Sequence, residues 1–386
     1  MEPMQSTSSF LGGAEYIPAD AIFEVTKKYL ADPNPNKVNV GAGTYRDENG
    51  KPWILPSVRM AKERIAGCDH EYLPIAGLKS FRDAAVNLVF HDTAALKEGR
   101  IASCQSLSGT GALHLAGLAL RKANPSLKTV YITEPTWSNH ELLFESLGFE
   151  VQKLPYYKDG EFDFESYVRA LECASKAMEA TGCSHQTERD FPIFDSAYLG
   201  FNSGSVDEDA WAIKYFVENL ELEASIALSF AKIMGLYGER TGLITFVTKS
   251  AETTRTMNSI LENVQRATLS SPPVYGARIA STVLNTPEFE KQWAEDLITM
   301  STRIQYMREK LYKELVRLET PGDWSHIVKQ SGMFGYTGLS SAQIKHLQKK
   351  YHVYMADTSR ISIAGLNESN VGYFAQAINE TVKCVK

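Results

Sequence analysis

Between residues 128 and 248, short β-rich runs alternate with helix-spaced segments, and this alternation limits the available folds more than any other feature. "KTVYITEP" (128–135), "FEVQKLPYY" (149–157), "DFPIFDSAY" (190–198), "ASIALSF" (224–230) and "GLITFVT" (242–248) are bounded by Pro, Gly or charge, as strands are. Between them, "HELLFESLG" and "DEDAWAIKYFVENLE" repeat apolar residues at helical spacing. Such a pattern predicts an α/β fold, a largely parallel sheet with helices on both faces. The character then changes, and 288–319 form one long amphipathic helical pattern without strand signals. The expected division is an arm and small-unit segment over 1–47, a large unit over 48–299 and a smaller α/β unit over 300–386.

Charge narrows the range of partners. Forty basic against 46 acidic residues give a net charge of −6, with the basic residues scattered. Neither a nucleic-acid partner nor an anionic membrane surface is expected. No apolar run reaches membrane-spanning length. The first twenty residues have neither the basic start nor the apolar stretch of a signal peptide. Five cysteines, odd in number and without metal-ligand spacing, fit a reducing compartment and predict no metal site. A cytoplasmic protein is expected.

In open α/β sheets, ligands gather beyond the carboxyl ends of the strands, and three polar clusters fall there. Ser108-Gly109-Thr110-Gly111 opens a helix, whose free N–H groups and positive dipole end suit a phosphate. Asp195 and Tyr198 follow an apolar strand and supply an acceptor and a phenolic donor. Ser229, Lys232 and Arg240 surround the turn after the next strand. A lysine in an apolar run either extends its stem toward water or sits in a pocket because its amine is used chemically. A phosphate cradle, a strand-end carboxylate and a pocketed lysine together match the needs of pyridoxal phosphate. The amine would bond the cofactor's aldehyde, the carboxylate would keep the pyridine nitrogen protonated, and the arginine would anchor the phosphate.

The motifs "VNVGAGTYRDENGKPWILPSVR", "HEYLPIAGL", "SLSGTGAL", "FPIFDSAYLGF", "SFAKIMGLYGERTG", "SSPPVYGARI" and "SRISIAGL" closely resemble class I aminotransferases of the aspartate aminotransferase type, PLP fold type I. The resemblance implies a large domain with a seven-stranded sheet, a smaller α/β domain, and a homodimer with shared sites. It also implies transamination between L-aspartate and 2-oxoglutarate. On this basis Lys232 would carry the covalent bond and shuttle the proton. Asp195 would pair with the ring nitrogen, with His140 behind it. Trp137 would stack on the ring, and Tyr198 would bond its phenolic oxygen. Ser108, Gly109, Thr110, Ser229 and Arg240 would hold the phosphate, joined by Tyr72 of the neighbouring subunit. Gly43, Trp137 and Arg360 would border the substrate, with Arg360 clamping its α-carboxylate and Arg266 of the other subunit reading the distal one. Bidentate guanidinium recognition suits such dicarboxylic substrates.

Three positions depart from the family pattern. Ile233 stands beside the lysine where asparagine is usual, and Ser359 precedes Arg360 where glycine is usual. More seriously, the family's Asn-Pro-x-Gly loop is absent, and "CSHQTERD" has no family counterpart. A strand, its loop and most of a helix are missing, roughly 25 residues by typical element lengths. An impaired homologue that retains only cofactor or partner binding, and an enzyme acting on aromatic amino acids, stay open as alternatives.

Overall fold

The computed structural model of the protein describes residues 9–158, 161–170 and 190–385. Its strands are β1 Val38–Asn39, β2 Ile101–Leu107, β3 Thr129–Glu134, β4 Glu150–Pro155, β5 Tyr157–Lys158, β6 Glu161–Phe162, β7 Ile193–Ser196, β8 Ala224–Ser229, β9 Thr241–Val247, β10 Phe334–Tyr336, β11 Val353–Tyr354 and β12 Arg360–Ser362. The central sheet runs β2-β9-β8-β7, and β3 pairs with β4 in a separate ladder.

The expected parallel sheet is mixed. β7 and β8 are parallel, but β9 runs antiparallel to both β8 and β2. The cause is local. A parallel return needs a crossover of about a dozen residues or more, usually carrying a full helix. The link from Ser229 to Thr241 holds only the one-turn helix Phe230–Ile233 and a turn. The chain therefore doubles back, and Lys232 and Arg240 both lie in that link.

β8 and β9 are buried along their whole length. Side chains alternate across a strand, so Ile226, Leu228 and Leu243 enter one core and Ala227, Ile244 and Phe246 the other. Helix Ser108–Ala123 packs on the second face with helix Ala251–Thr268. On the first face helix Lys79–Phe90 packs against β2 and β9, and the same core extends to helix Pro287–Arg317, whose Phe289, Trp293, Leu297, Met300, Ile304, Met307, Leu311 and Leu315 recur every three or four residues. That helix opens with Pro at its first turn, where a missing N–H costs nothing. It runs unbroken past residue 299. Its Trp293 indole donates to the Ile233 carbonyl at 2.9 Å, which fixes the residue beside Lys232.

Several local expectations are corrected. β2 was not expected as a strand, because its inward positions include Gln105 and Ser106. Gln105 takes the Leu78 N–H and donates to the Pro273 carbonyl, and Ser106 donates to the Ser108 carbonyl, so these buried polar groups are satisfied. The helical stretch at 207–221 is split into Val206–Asp209, Trp211–Lys214 and a π-helical turn Tyr215–Asn219. The amino-terminal arm contains helix Ala21–Ala31, capped by Asp20, whose carboxylate accepts from the Ile22 and Phe23 N–H groups.

Among the described residues, β7 and β3 end separate sheets, each with a ladder partner on one side only. This is where the resemblance lacks a strand. "CSHQTERD" lies outside the described residues up to Glu188 and Arg189.

Candidate active site

Lys232 stands one turn beyond β8, inside the one-turn helix that the short β8–β9 link forces. Its Nζ donates to the Gly43 carbonyl at 3.1 Å and lies 5.6 Å from the Tyr198 ring and 5.3 Å from the Tyr237 ring. No carboxylate bonds the amine among the described residues. Burial, reinforced by the positive charges of Arg240 and Arg360, pulls its pKa down to about 8.

Asp195 lies at the end of β7, one residue before its last. Its Oδ2 lies 2.9 Å from His140 Nε2, and His140 Nδ1 lies 2.8 Å from the Thr136 hydroxyl. Trp137 meets the His140 ring edge-on, with centroids 5.3 Å apart. Tyr198 donates its hydroxyl to the same Gly43 carbonyl at 3.2 Å, and burial raises its pKa well above the phenolic range. A Cβ at Gly43 would lie 2.9 Å from that hydroxyl and 3.1 Å from the Phe334 ring, so only glycine fits there.

The cradle forms where β2, β8 and β9 converge. Ser108, at φ 58°, opens helix Ser108–Ala123, and no side chain caps that helix. The first N–H groups of Gly109 and Thr110 thus remain available as donors. The Ser108 and Ser229 hydroxyls lie 2.7 Å apart. A Cβ on Gly242 would lie 2.6 Å from the Ser108 backbone, so glycine lets the strand approach that closely. Arg240, also at positive φ, donates to the Tyr237 carbonyl, and its backbone carbonyl accepts the Ser108 N–H at 3.1 Å. Burial lowers its pKa.

Arg360 opens β12, its guanidinium 4.5 Å over the Phe334 ring, and burial lowers its pKa too. Ser359 beside it does sit at φ 68°, the conformation that favours glycine. Its hydroxyl lies 2.7 Å from that of Thr337, a bond glycine could not make.

Two expected residues do not join this group within one chain. Tyr72 is 87% exposed. Arg266 is exposed on helix Ala251–Thr268 and donates to the Ser270 hydroxyl. Sequence reasoning missed Phe334 and Tyr237. The Tyr237 hydroxyl accepts the Tyr45 N–H at 2.8 Å, and its place between Lys232 and Arg240 was an available signal. Phe334 had none, since its role depends on what tertiary packing places around its ring.

The arrangement thus offers a largely buried amine, an anion cradle, a carboxylate backed by imidazole, and a guanidinium clamp. A family model described as aminotransferase class I and II matches residues 35–188 and 185–378. The chain belongs to this aminotransferase family. The cytoplasmic aspartate aminotransferase of Schizosaccharomyces pombe is 43% identical to this aminotransferase over 394 positions, covering 95% of this chain and 96% of the relative. That of Saccharomyces cerevisiae is 39% identical over 98% of both chains. Among solved structures, the aspartate aminotransferase from Saccharomyces cerevisiae cytoplasm superposes with a TM-score of 0.89 at 36% identity, over 98% of this chain and 99% of that one. The aromatic-amino-acid aminotransferase from Burkholderia pseudomallei, covalently bound to pyridoxal phosphate, gives 0.89 at 33% identity, over 97% and 100%.

The matches also locate the shortfall. The two family-model stretches meet at 185–188. Alignment with the Schizosaccharomyces pombe relative takes 394 positions to cover 95% of 386 residues, so about 27 positions have no residue in this aminotransferase.

Proposed function

We propose that this aminotransferase uses pyridoxal phosphate to move an amino group between L-aspartate and 2-oxoglutarate, giving oxaloacetate and L-glutamate. The observation that carries the reading is Lys232 Nζ, largely buried, bonded among the described residues only to a carbonyl, and lowered in pKa to about 8. An amine that loses its proton this readily has far more of its free, nucleophilic form present at neutral pH than an exposed lysine has. The residues present fit the cofactor. Ser108, Gly109, Thr110, Ser229 and Arg240 would hold its phosphate on an uncapped helix start, and Asp195 its ring nitrogen. Tyr198 would bond its phenolic oxygen, and Trp137 would cover the ring face. When bound, the cofactor supplies an aldehyde that takes up the amino group and a ring that accepts the electron pair released at Cα. Lys232 then takes the proton from the substrate Cα and redelivers it. Asp195, braced by His140, would pair with the ring nitrogen. Arg360 orients the α-carboxylate.

Aspartate is favoured over aromatic substrates by likeness. The curated relatives named for aspartate are 39–43% identical, and among solved structures the aspartate aminotransferase from Saccharomyces cerevisiae cytoplasm is 36% identical against 33% for the aromatic enzyme from Burkholderia pseudomallei. The same relatives' names support a cytoplasmic location. No helix among the described residues is long and apolar enough to cross a membrane. A homodimer is part of the proposal, supported by exposed Tyr72 and by Phe10, Leu11, Tyr16 and Ile17, all at least 73% exposed on the arm. The domain division at 47 and 299 is proposed too, with β1 joining the small unit through its parallel pairing with β11.

The test is to reduce the cofactor-loaded protein with borohydride and map the modified peptide. The label is expected on Lys232, and Lys232→Ala should lose it while keeping some non-covalent cofactor. A label on another lysine overturns the assignment. A second reading, binding with weak turnover, is favoured by the open edges of β7 and β3. A rate with aspartate far below that of the family, with Lys232 labelled normally, would select it.

A further inference from the structure

Arg308 is a buried charge that the chemistry above leaves unused. It lies on helix Pro287–Arg317, at a position facing the core, and is 4% exposed. All its hydrogen-bond partners are main-chain carbonyls: Ile327 at 2.9 Å from Nη1, and Gly332 and Phe334 at 2.8 and 2.7 Å from Nη2. Among the described residues no carboxylate pairs with it. Burial lowers its pKa to about 10, the mark of a guanidinium kept charged at a cost. Only a planar fork of several donors can gather three carbonyls from one short stretch.

That stretch, 327–334, ends at the residue on which the clamp rests. Phe334 lies under the Arg360 guanidinium at 4.5 Å and meets Tyr198 edge-on at 5.4 Å. Its ring also abuts Gly43, whose carbonyl holds both Tyr198 and Lys232. The ladder carrying Arg360 has only three pairs, Phe334 with Ser362, Gly335 with Ile361 and Tyr336 with Arg360, too few to set its own position firmly. Gly335 shows how closely the fork is fitted, since a Cβ there would lie 3.3 Å from Arg308 Nη1.

We propose that Arg308 is a positioning residue for substrate carboxylate recognition, holding the Phe334 carbonyl so that the Phe334 ring and Arg360 keep their relative places. This rests on the reading of Arg360 as the carboxylate clamp. Arg308 acts through Phe334 and not on the substrate. It therefore governs affinity more than the proton transfer at Lys232.

The test uses the cofactor-loaded protein, with active sites counted by borohydride-fixed cofactor so that misfolded chains do not enter the rates. Arg308→Lys keeps the charge but loses the fork. It should raise KM for aspartate and Kd for succinate, a dicarboxylate without an amine, by about tenfold, the equivalent of about 1.4 kcal/mol. The kcat per counted site should stay within about twofold, as expected when ground-state and transition-state binding fall together. Unchanged KM and Kd overturn the inference, as does a loss of activity that only follows the count of sites. Should that variant fail to fold, Gly335→Ala presses on the same fork without removing a donor. It should raise KM alone, and an unaltered KM would overturn the inference. Arg360→Ala separates the two layers. If it leaves KM unchanged, the clamp reading falls; if it raises KM while Arg308→Lys does not, only the positioning role falls.

Discussion

A lysine amine among apolar groups is costly to charge, and the cost at Lys232 has a sign that pH can reveal. Its pKa is about 8 in the fold against an ordinary 10.5, so below pH 8 both folded and unfolded chains are protonated and the full penalty is present. Between pH 8 and 10.5 the unfolded chain holds the extra proton, so stability rises with pH until the penalty is gone. At pH 7, in cofactor-free protein, Lys232→Met should therefore stabilise the fold by about 3 kcal/mol, the cost of lowering the amine's pKa from 10.5 to about 8. Melting curves at pH 7 and pH 10.5 check this: the variant should melt higher at pH 7, and the gain should vanish at the higher pH. Equal melting at pH 7 would mean the amine is not destabilised where it sits. Lys232, Asp195 and the Ser108 turn were legible because each residue type carries its chemistry wherever it lies. Phe334 and Arg308 were not, because one matters as a ring beneath a guanidinium and the other as a collector of carbonyls, and both relations exist only after folding.

At the scale of elements, the same divide holds. β8 and β9 were legible because burial on both faces writes itself as unbroken apolar runs. β2 was hidden because its buried Gln105 and Ser106 look like surface residues until their partners are known. The split of 206–219 could not be read from periodicity, which a π turn shifts by a residue. The edges that β7 and β3 present among the described residues matter most here, because Asp195 lies at the end of the first, one residue before its last, and Trp137 and His140 follow the second. An unpaired edge leaves backbone N–H and C=O groups without ladder partners. By the resemblance, the asparagine of the absent Asn-Pro-x-Gly loop would donate to the cofactor's phenolic oxygen, so its loss would also remove a bond to a charged acceptor, worth about 1.5–3 kcal/mol. The structural loss involves a whole strand and should exceed that of one bond. Inserting the segment of the Schizosaccharomyces pombe relative at 185–188 should raise both melting temperature and turnover. An asparagine alone at the same place should raise neither. Family-typical turnover and ordinary cooperative melting in the chain as it stands would refute the argument.

For the whole molecule, the site of one chain is incomplete in a specific way. Arg360 and Lys232 face a common space, but Tyr72 and Arg266 are exposed to solvent, as are Phe10, Leu11, Tyr16 and Ile17 at the start of the arm. In the proposed two-fold dimer both sites would be completed at once, since whatever one subunit gives its partner it receives in return. This makes the roles separable by mixing. Lys232→Ala removes the amine from its own site, and Arg266→Ala removes the distal clamp from its partner's site. Losing that guanidinium should cost about 2–5 kcal/mol with aspartate, so each variant alone should be nearly inactive. If the two are unfolded together and refolded at equal amounts, half the dimers are hybrids. Each hybrid has one site with both groups and one with neither, so about a quarter of wild-type activity should return. Native mass spectrometry would count the hybrids and an aspartate assay the recovered rate. Hybrids without recovered activity would place Arg266 in its own chain's site, and full activity in a diluted monomer would remove the need for a partner altogether.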